Sequence, residues 1–273
     1  MLQARSWLPR TEGSVRLGFV HRDGQTRLAG LYQSGAARAR FPNPAADAPP
    51  EAVLLNTAGG LTGGDRIDTR IDMGAGAEAT VTTAAAEKIY RALDGETTIR
   101  VRLTLDAGAR LAWLPQPTIL FDRSWLDRRT EVELAGDASL LAVETLIFGR
   151  TAMGEDVHRG ICRDAWRIRR GGRLLFADTF RIDGAVATAL DRPATLAGAR
   201  AAAMLIYVAA DAGERLEAAR AVLDRAAGMA GASAWNGMLV ARVLARDGHA
   251  LQDDLAALAE ALSGRPLPRV WQC

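Results

Sequence analysis

Residues 97–114 read Thr97-Thr98-Ile99-Arg100-Val101-Arg102-Leu103-Thr104-Leu105, then Asp106-Ala107-Gly108-Ala109, then Arg110-Leu111-Ala112-Trp113-Leu114. From Ile99 to Leu105 apolar and polar residues alternate, the period of a strand with one buried and one wetted face. The interval 106–109 is a turn, and residues 110–114 make the next strand. The same grammar extends in both directions. Toward the N-terminus, residues 66–72 and 77–83 carry strand signals, Val53-Leu54-Leu55 is a short buried strand, and 15–20 and 26–31 are looser runs. Toward the C-terminus, residues 130–134 lead through Ala135-Gly136-Asp137 into 139–148. Residues 166–170 then meet Gly171-Gly172, a hairpin turn, and 173–183 supply the returning strand. So many period-two segments predict an extended, mainly β body, although no exact sequence repeat marks a simple solenoid.

The pattern changes after Pro193. Residues 199–210 suit a strand or a buried helix, and the centre Met204-Leu205-Ile206-Tyr207-Val208 favours the strand. Residues 213–227 place Leu216, Ala219, Val222, Leu223 and Ala226 on one helical face. Residues 238–244 are strand-like. Residues 249–262 carry a Leu251, Leu255, Leu258, Leu262 stripe ended by Gly264 and Pro266. The expectation is one domain over 1–273, strand-rich over 1–192 and mixed over 193–273, with helices near 213–227 and 249–262. Residues 41–50 hold four prolines and read as an exposed loop.

At 273 residues and 49% hydrophobic, the chain can bury a sizeable core. Its 34 basic and 32 acidic residues are interspersed, for a net charge of +2, which argues against a nucleic-acid binder or a membrane-surface protein. Only Lys88 among the basic residues is a lysine; the rest are arginines, whose planar forks suit carboxylates. Cys162 and Cys273 are the only cysteines and read as thiols in a reducing compartment. With no secretory pattern at the start and no apolar stretch long enough to span a bilayer, a cytoplasmic protein is expected.

Four polar clusters are candidates for chemistry. Gly59-Gly60-Leu61-Thr62-Gly63-Gly64-Asp65 resembles a phosphate loop only superficially, because no Lys-Ser or Lys-Thr follows it. Its alternatives are a structural turn with Asp65 capping backbone amides, or a polar channel lining. Glu87-Lys88-Ile89-Tyr90-Arg91 gathers four titratable side chains and reads first as a charge network. Trp113-Leu114-Pro115-Gln116-Pro117-Thr118-Ile119-Leu120-Phe121-Asp122 is extended by its two prolines, as a buried crossover or an exposed recognition segment. Residues 144–160 pass from an apolar strand into a polar loop holding Arg150, Glu155, Asp156 and His158, with Cys162 beyond. Glu155, Asp156 and His158 can contact a divalent ion. His158 and Cys162 would adjoin one another on a helix, but the glycines there disfavour one. No HExxH, Gly-x-Ser-x-Gly or Cys-x-x-Cys signature occurs, and His21 and His249 read as a strand edge and a helix start.

Together these stretches resemble the UreD family, called UreH in some bacteria. The resemblance is carried in order by residues 55–65; Glu87-Lys88-Ile89-Tyr90-Arg91; Trp113-Leu114-Pro115-Gln116; Thr118-Ile119-Leu120-Phe121; residues 144–155; and Pro268-Arg269-Val270-Trp271. It implies an elongated, multi-stranded β body, β-helix-like or of layered sheets, with a small helical element on the C-terminal side. It further implies a urease maturation factor rather than an enzyme. Such a factor works with UreF, the GTPase UreG and the urease apoprotein, binds no cofactor tightly and passes Ni²⁺ transiently. On this resemblance Asp65, Glu144 and Glu155 belong to a nickel passage or its support, with Arg150 partnering a buried carboxylate. Glu87, Lys88, Tyr90, Arg91 and Gln116 are supporting or interface residues. Ala84-Ala85-Ala86 and Pro117 depart from the family pattern, which often has Gln before the Lys motif and Glu after Pro-Gln. Two other readings of the residues are a general β-rich protein-binding module and a carboxylate-based hydrolase.

Overall fold

A computed structural model describes residues 10–43, 48–150 and 154–272. Strands β1 (Glu12–Arg22) and β2 (Gln25–Gly35) form a hairpin, and β3 (Ala37–Arg40) pairs antiparallel with β4 (Glu51–Asn56). The chain then winds through β5 (Arg66–Met73), β6 (Glu78–Thr83), β7 (Glu87–Ile89), β8 (Thr97–Leu105), β9 (Arg110–Leu114) and β10 (Thr118–Leu120). Strands β11 (Trp125–Leu134) and β12 (Ser139–Phe148) continue the winding, and β13 (Arg159–Arg170) turns back into β14 (Arg173–Ala185). After α1 (Val186–Asp191) come β15 (Ala201–Val208), α2 (Leu216–Leu223), β16 (Met229–Trp235), β17 (Met238–Ala245), α3 (Gly248–Ser263) and a 3-10 turn, Arg269–Trp271.

The middle of the chain is a coil. One sheet runs β14-β13-β11-β8-β5-β1-β2 and the other β16-β17-β15-β12-β9-β6-β4-β3. Alternate strands of the chain go to alternate sheets, and β5–β8–β11–β13 and β6–β9–β12 pair in parallel. A narrow third face stacks β7, β10 and the end of β12, also in parallel. This is the β-helix-like alternative of the expected fold, built without a sequence repeat. Coils share positions and polarity rather than residues. Leu17, Ile71, Leu103, Val132 and Ile168 are in register across one sheet, and none is more than 1% exposed. Burying each such side chain contributes about 1.5–3 kcal/mol. The turns between the sheets stack as well: Gly76 N–H donates to Ala107 O and Gly108 N–H to Asp137 Oδ1, both at 2.8 Å. Gly76 and Gly108 each have φ of 68°, where a side chain is strained.

Helices α2 and α3 cover the outer face of the second sheet, packing Leu251, Leu255, Leu258 and Leu262 against Leu141, Val143, Leu205 and Val243. That sheet is therefore buried on both faces here. This explains the near-continuous apolar run of β15 and resolves residues 201–208 as strand. Asp247 caps α3 by accepting from His249 and Ala250 N–H, and Gly264 ends it in the left-handed region. Helix α2 is shorter than expected from 213–227, spanning Leu216–Leu223. Its amphipathic pattern outlasts it because Gly228 must abut Leu244 O as β16 begins; a Cβ there would lie 1.8 Å from that oxygen.

Candidate functional site

Strand alternation turns Leu126, Arg128, Thr130, Val132 and Leu134 of β11 inward, all buried. Arg128 thus occupies a core column with Ile67, Ile99 and Asp164. Its Nε and Nη2 donate to the two oxygens of Asp164 at 3.0 and 2.7 Å, and Nη1 donates to Thr118 Oγ1 at 2.8 Å. The same Nη1 lies 2.6 Å from Glu144, which arrives from β12 in the opposite sheet. All three charged side chains are 5–6% exposed. One guanidinium faces two carboxylates, so the cluster carries a formal excess of negative charge when both are ionised. Burial pushes the Glu144 carboxyl well up, against the opposing pull of Arg128. Burial, reinforced by Asp164, also pushes up the Cys162 thiol, so this cysteine is an inert core residue rather than a thiolate ligand.

A cavity of about 270 Å³ connects this cluster to the exterior. Its inner wall includes Arg128, Glu144, Thr118 and Trp113; Glu87, the exposed Lys88 and the glycine loop at Gly59-Gly60 form the outer part. Asn56 Nδ2 donates to both Glu87 oxygens at 3.0 and 3.1 Å. Burial nevertheless raises the Glu87 carboxyl to about 6, with Asn56 and the Lys88 amide acting against it. Gln116, also in the wall, donates from Nε2 to Val270 O at 3.0 Å and from its amide to Thr83 Oγ1 at 2.8 Å. Residues 115–117 cross over from β9 to β10 with Gln116 and Pro117 buried, so this stretch is a buried crossover rather than an exposed segment. A second cleft, about 430 Å³, lies between the second sheet and the C-terminal segment. Its Arg215–Asp211 and Arg265–Glu78 pairs already satisfy one another.

The remaining polar positions sit apart. Asp65 is buried and accepts from Thr11 N–H at 2.7 Å and Thr62 N–H at 2.8 Å. It thereby folds the glycine loop, whose Leu61 exchanges backbone hydrogen bonds with Lys88 and Tyr90. Arg150 pairs with Glu155 at 2.8 Å, both partly exposed, and its guanidinium lies 5.0 Å from the Phe121 ring centroid. Tyr90 packs against the same ring, its centroid 4.8 Å from that of Phe121. Arg91 is exposed and bridges to Ser124 through the backbone. Exposed His158 precedes β13, whereas Cys162 faces the core, so the two share no helix. Among the described residues, no three His, Cys, Asp or Glu side chains are grouped to hold a metal ion, and no helix is long and apolar enough to cross a membrane. Cys273 lies outside the described residues.

The family described as UreD urease accessory protein matches residues 11–272. The chain belongs to the UreD family. A urease accessory protein UreD of Methylobacterium sp. (strain 4-46) is 50% identical over 270 residues, covering 96% of this chain and 95% of the relative. One from Xanthobacter autotrophicus is 49% identical over 267 residues, covering 98% and 92%. Family membership places the chain in urease maturation.

On this UreD scaffold the residues expected to act together divide into three groups. Glu87, Lys88, Gln116 and Glu144 line the cavity. Asp65 braces the loop beside it. Glu155, Arg150, Tyr90 and the neighbouring Arg91 lie in surface networks. Arg150 is not the partner of the buried carboxylate; it serves Glu155, and Arg128 holds Glu144. Sequence reading passed over Arg128 and Asp164. Both stand in charged runs, Leu126-Asp127-Arg128-Arg129 and Cys162-Arg163-Asp164-Ala165. The signal was parity: extending the alternation of 130–134 and 166–170 backward puts one residue of each charged run inside.

Proposed function

We propose that this UreD-family chain is a non-catalytic cytoplasmic scaffold that conducts Ni²⁺ toward the urease apoprotein in complex with UreF and the GTPase UreG. The observation that carries this reading is the buried Arg128–Glu144–Asp164 cluster at the inner end of a cavity whose outer part holds Glu87. Solenoid interiors fill readily with aliphatic side chains, and a charged cluster in one is costly unless it has a use. Carboxylate, amide and hydroxyl oxygens hold a nickel ion weakly compared with imidazole or thiolate. Weak, successive contacts suit conduction, which needs release as much as capture. In this scheme Glu144 is the inner contact of the path. Glu87, with Asn56, conditions its entrance, and Asp65 supports it by holding the glycine loop in place. Glu155 and Arg150 belong to the surface, where a partner protein docks.

The deciding experiment reconstitutes urease activation from purified components, with and without this chain, and counts nickel transferred. Omission of the chain is expected to cut loading by about tenfold or more. Glu144→Gln is expected to cut it several-fold while the chain stays soluble and complexed. Full activation without the chain, or turnover of a substrate by the isolated chain, overturns the proposal.

A further inference from the structure

Inside the solenoid a single guanidinium serves two carboxylates. Arg128 spans Asp164 with two hydrogen bonds and reaches Glu144 at 2.6 Å, and each carboxylate keeps lone pairs that the guanidinium does not use. Apolar residues of similar volume would fill this core at least as well as buried ions do. The polar character also continues past the ion cluster on the same inward faces. Thr130 lies two positions beyond Arg128 and Trp166 two beyond Asp164, and they are paired in register. Both are buried, at 0% and 2% exposure, yet neither Thr130 Oγ1 nor Trp166 Nε1 has a hydrogen-bond partner among the described residues. Trp113 Nε1, in the cavity wall, is likewise unpartnered. Buried groups of this kind call for water or a ligand beside them.

We propose that Glu144 and Asp164 form an internal divalent-cation site whose resident occupant is the Arg128 guanidinium, so that an ion arriving through the cavity displaces Arg128 instead of filling a hole. This rests on the nickel-passage reading and gives it a mechanism at one residue. Two carboxylates spaced around a guanidinium offer oxygen donors on two sides of an incoming ion, and Thr118 Oγ1, freed as Arg128 leaves, adds a neutral one. Displacement keeps the site weak, because the ion's gain is offset by the guanidinium pairs that break. It also keeps the core safe after release, since Arg128 returns and two bare carboxylates are never left buried. Charge sets the selectivity: a divalent ion balances both carboxylates, which a monovalent ion does not.

Equilibrium dialysis of Ni²⁺ against the purified full-length chain tests this, with circular dichroism reporting the fold. Arg128→Met is expected to hold about one Ni²⁺ per chain roughly tenfold or more tighter than wild type, a difference of about 1.4 kcal/mol or more. Adding Glu144→Gln or Asp164→Asn should abolish the gain. Arg128→Lys keeps a buried positive charge but contacts fewer oxygens. It should gain several-fold, and it decides the matter if Arg128→Met does not fold. A folded arginine variant with wild-type affinity, or a gain that survives Glu144→Gln, overturns the proposal. Nickel transfer in the reconstituted system separates the two readings. Undiminished loading with Glu144→Gln sinks the passage itself. Lost loading with Glu144→Gln, alongside arginine variants that gain no affinity, sinks only the displaceable arginine.

Discussion

A buried arginine facing two carboxylates sets the energetics at the scale of single residues. Removing its charge strands Glu144 and Asp164 without a counter-ion, so Arg128→Ala is expected to cost about 3–5 kcal/mol in urea-induced unfolding. Replacing Arg128, Glu144 and Asp164 together by Met, Leu and Leu should be near neutral, because the desolvation penalty leaves with the charges. An unfolding midpoint unchanged by Arg128→Ala alone would contradict the enclosed geometry. Glu87 gives a pH signature. Its carboxyl rises from 4.5 to about 6 on folding, so the folded chain holds this proton more tightly than the unfolded one. The associated stability is complete below pH 4.5 and is lost as pH climbs through 6. Discounted for screening at the cavity mouth, it amounts to about 1 kcal/mol. Thermal melts of Glu87→Gln against wild type should show that decline flattened. At this scale the sequence revealed polar candidates better than their partners. Glu144 was reached through the family resemblance, which places it in the passage or its support. Arg128 and Asp164 were hidden because each adjoins a charge on the opposite face of its strand, and only strand parity distinguishes one face from the other.

Elements join the solenoid to its helical cover through the last few residues. Trp271 Nε1 donates to Leu114 O at 3.0 Å, and Val270 O accepts from Gln116, which lines the cavity. Trp271→Ala is expected to cost about 3–5 kcal/mol by leaving a large void. Trp271→Phe should cost about 1 kcal/mol, because Leu114 O keeps its bond from Thr82 Oγ1 at 2.6 Å. Denaturant titrations distinguish these values; equal losses would mean that the hydrogen bond, not the packing, holds the turn. Most elements were legible because their faces differ in polarity, as in β8, whose buried and partly exposed residues alternate. Four strands were not, the four-residue β3 among them. β7 and β10 span three residues each, too few to show a period, and exist because neighbouring coils supply their partners. β16 is made largely of Ala, Gly and Ser, which carry little strand preference, and is held by β17 along its whole length.

For the whole molecule, parallel pairing between distant strands carries two costs. Such topologies close long loops before any contact rewards them, so folding is slow. The stack also has ends. β2 forms one edge, with Leu28, Leu31 and Tyr32 at 38%, 44% and 52% exposure. An edge of this kind invites self-association. Leu31→Lys is therefore expected to lower the scattering of concentrated solutions without shifting the unfolding midpoint, and unchanged scattering would show that this edge is already protected. The coil was not legible from repeats, since its turns share geometry and not letters; the succession of alternating strands was the legible part. Alternation also separates two kinds of adaptation. Asp127, on the opposite face of the strand and itself covered by arginines, pairs with Arg100 at 2.5 Å, while its chain neighbour Arg128 addresses the solenoid interior. Adjacent codons therefore answer to different pressures, and a lineage can change the charges inside the solenoid while those on the opposite face of the same strand stay as they were.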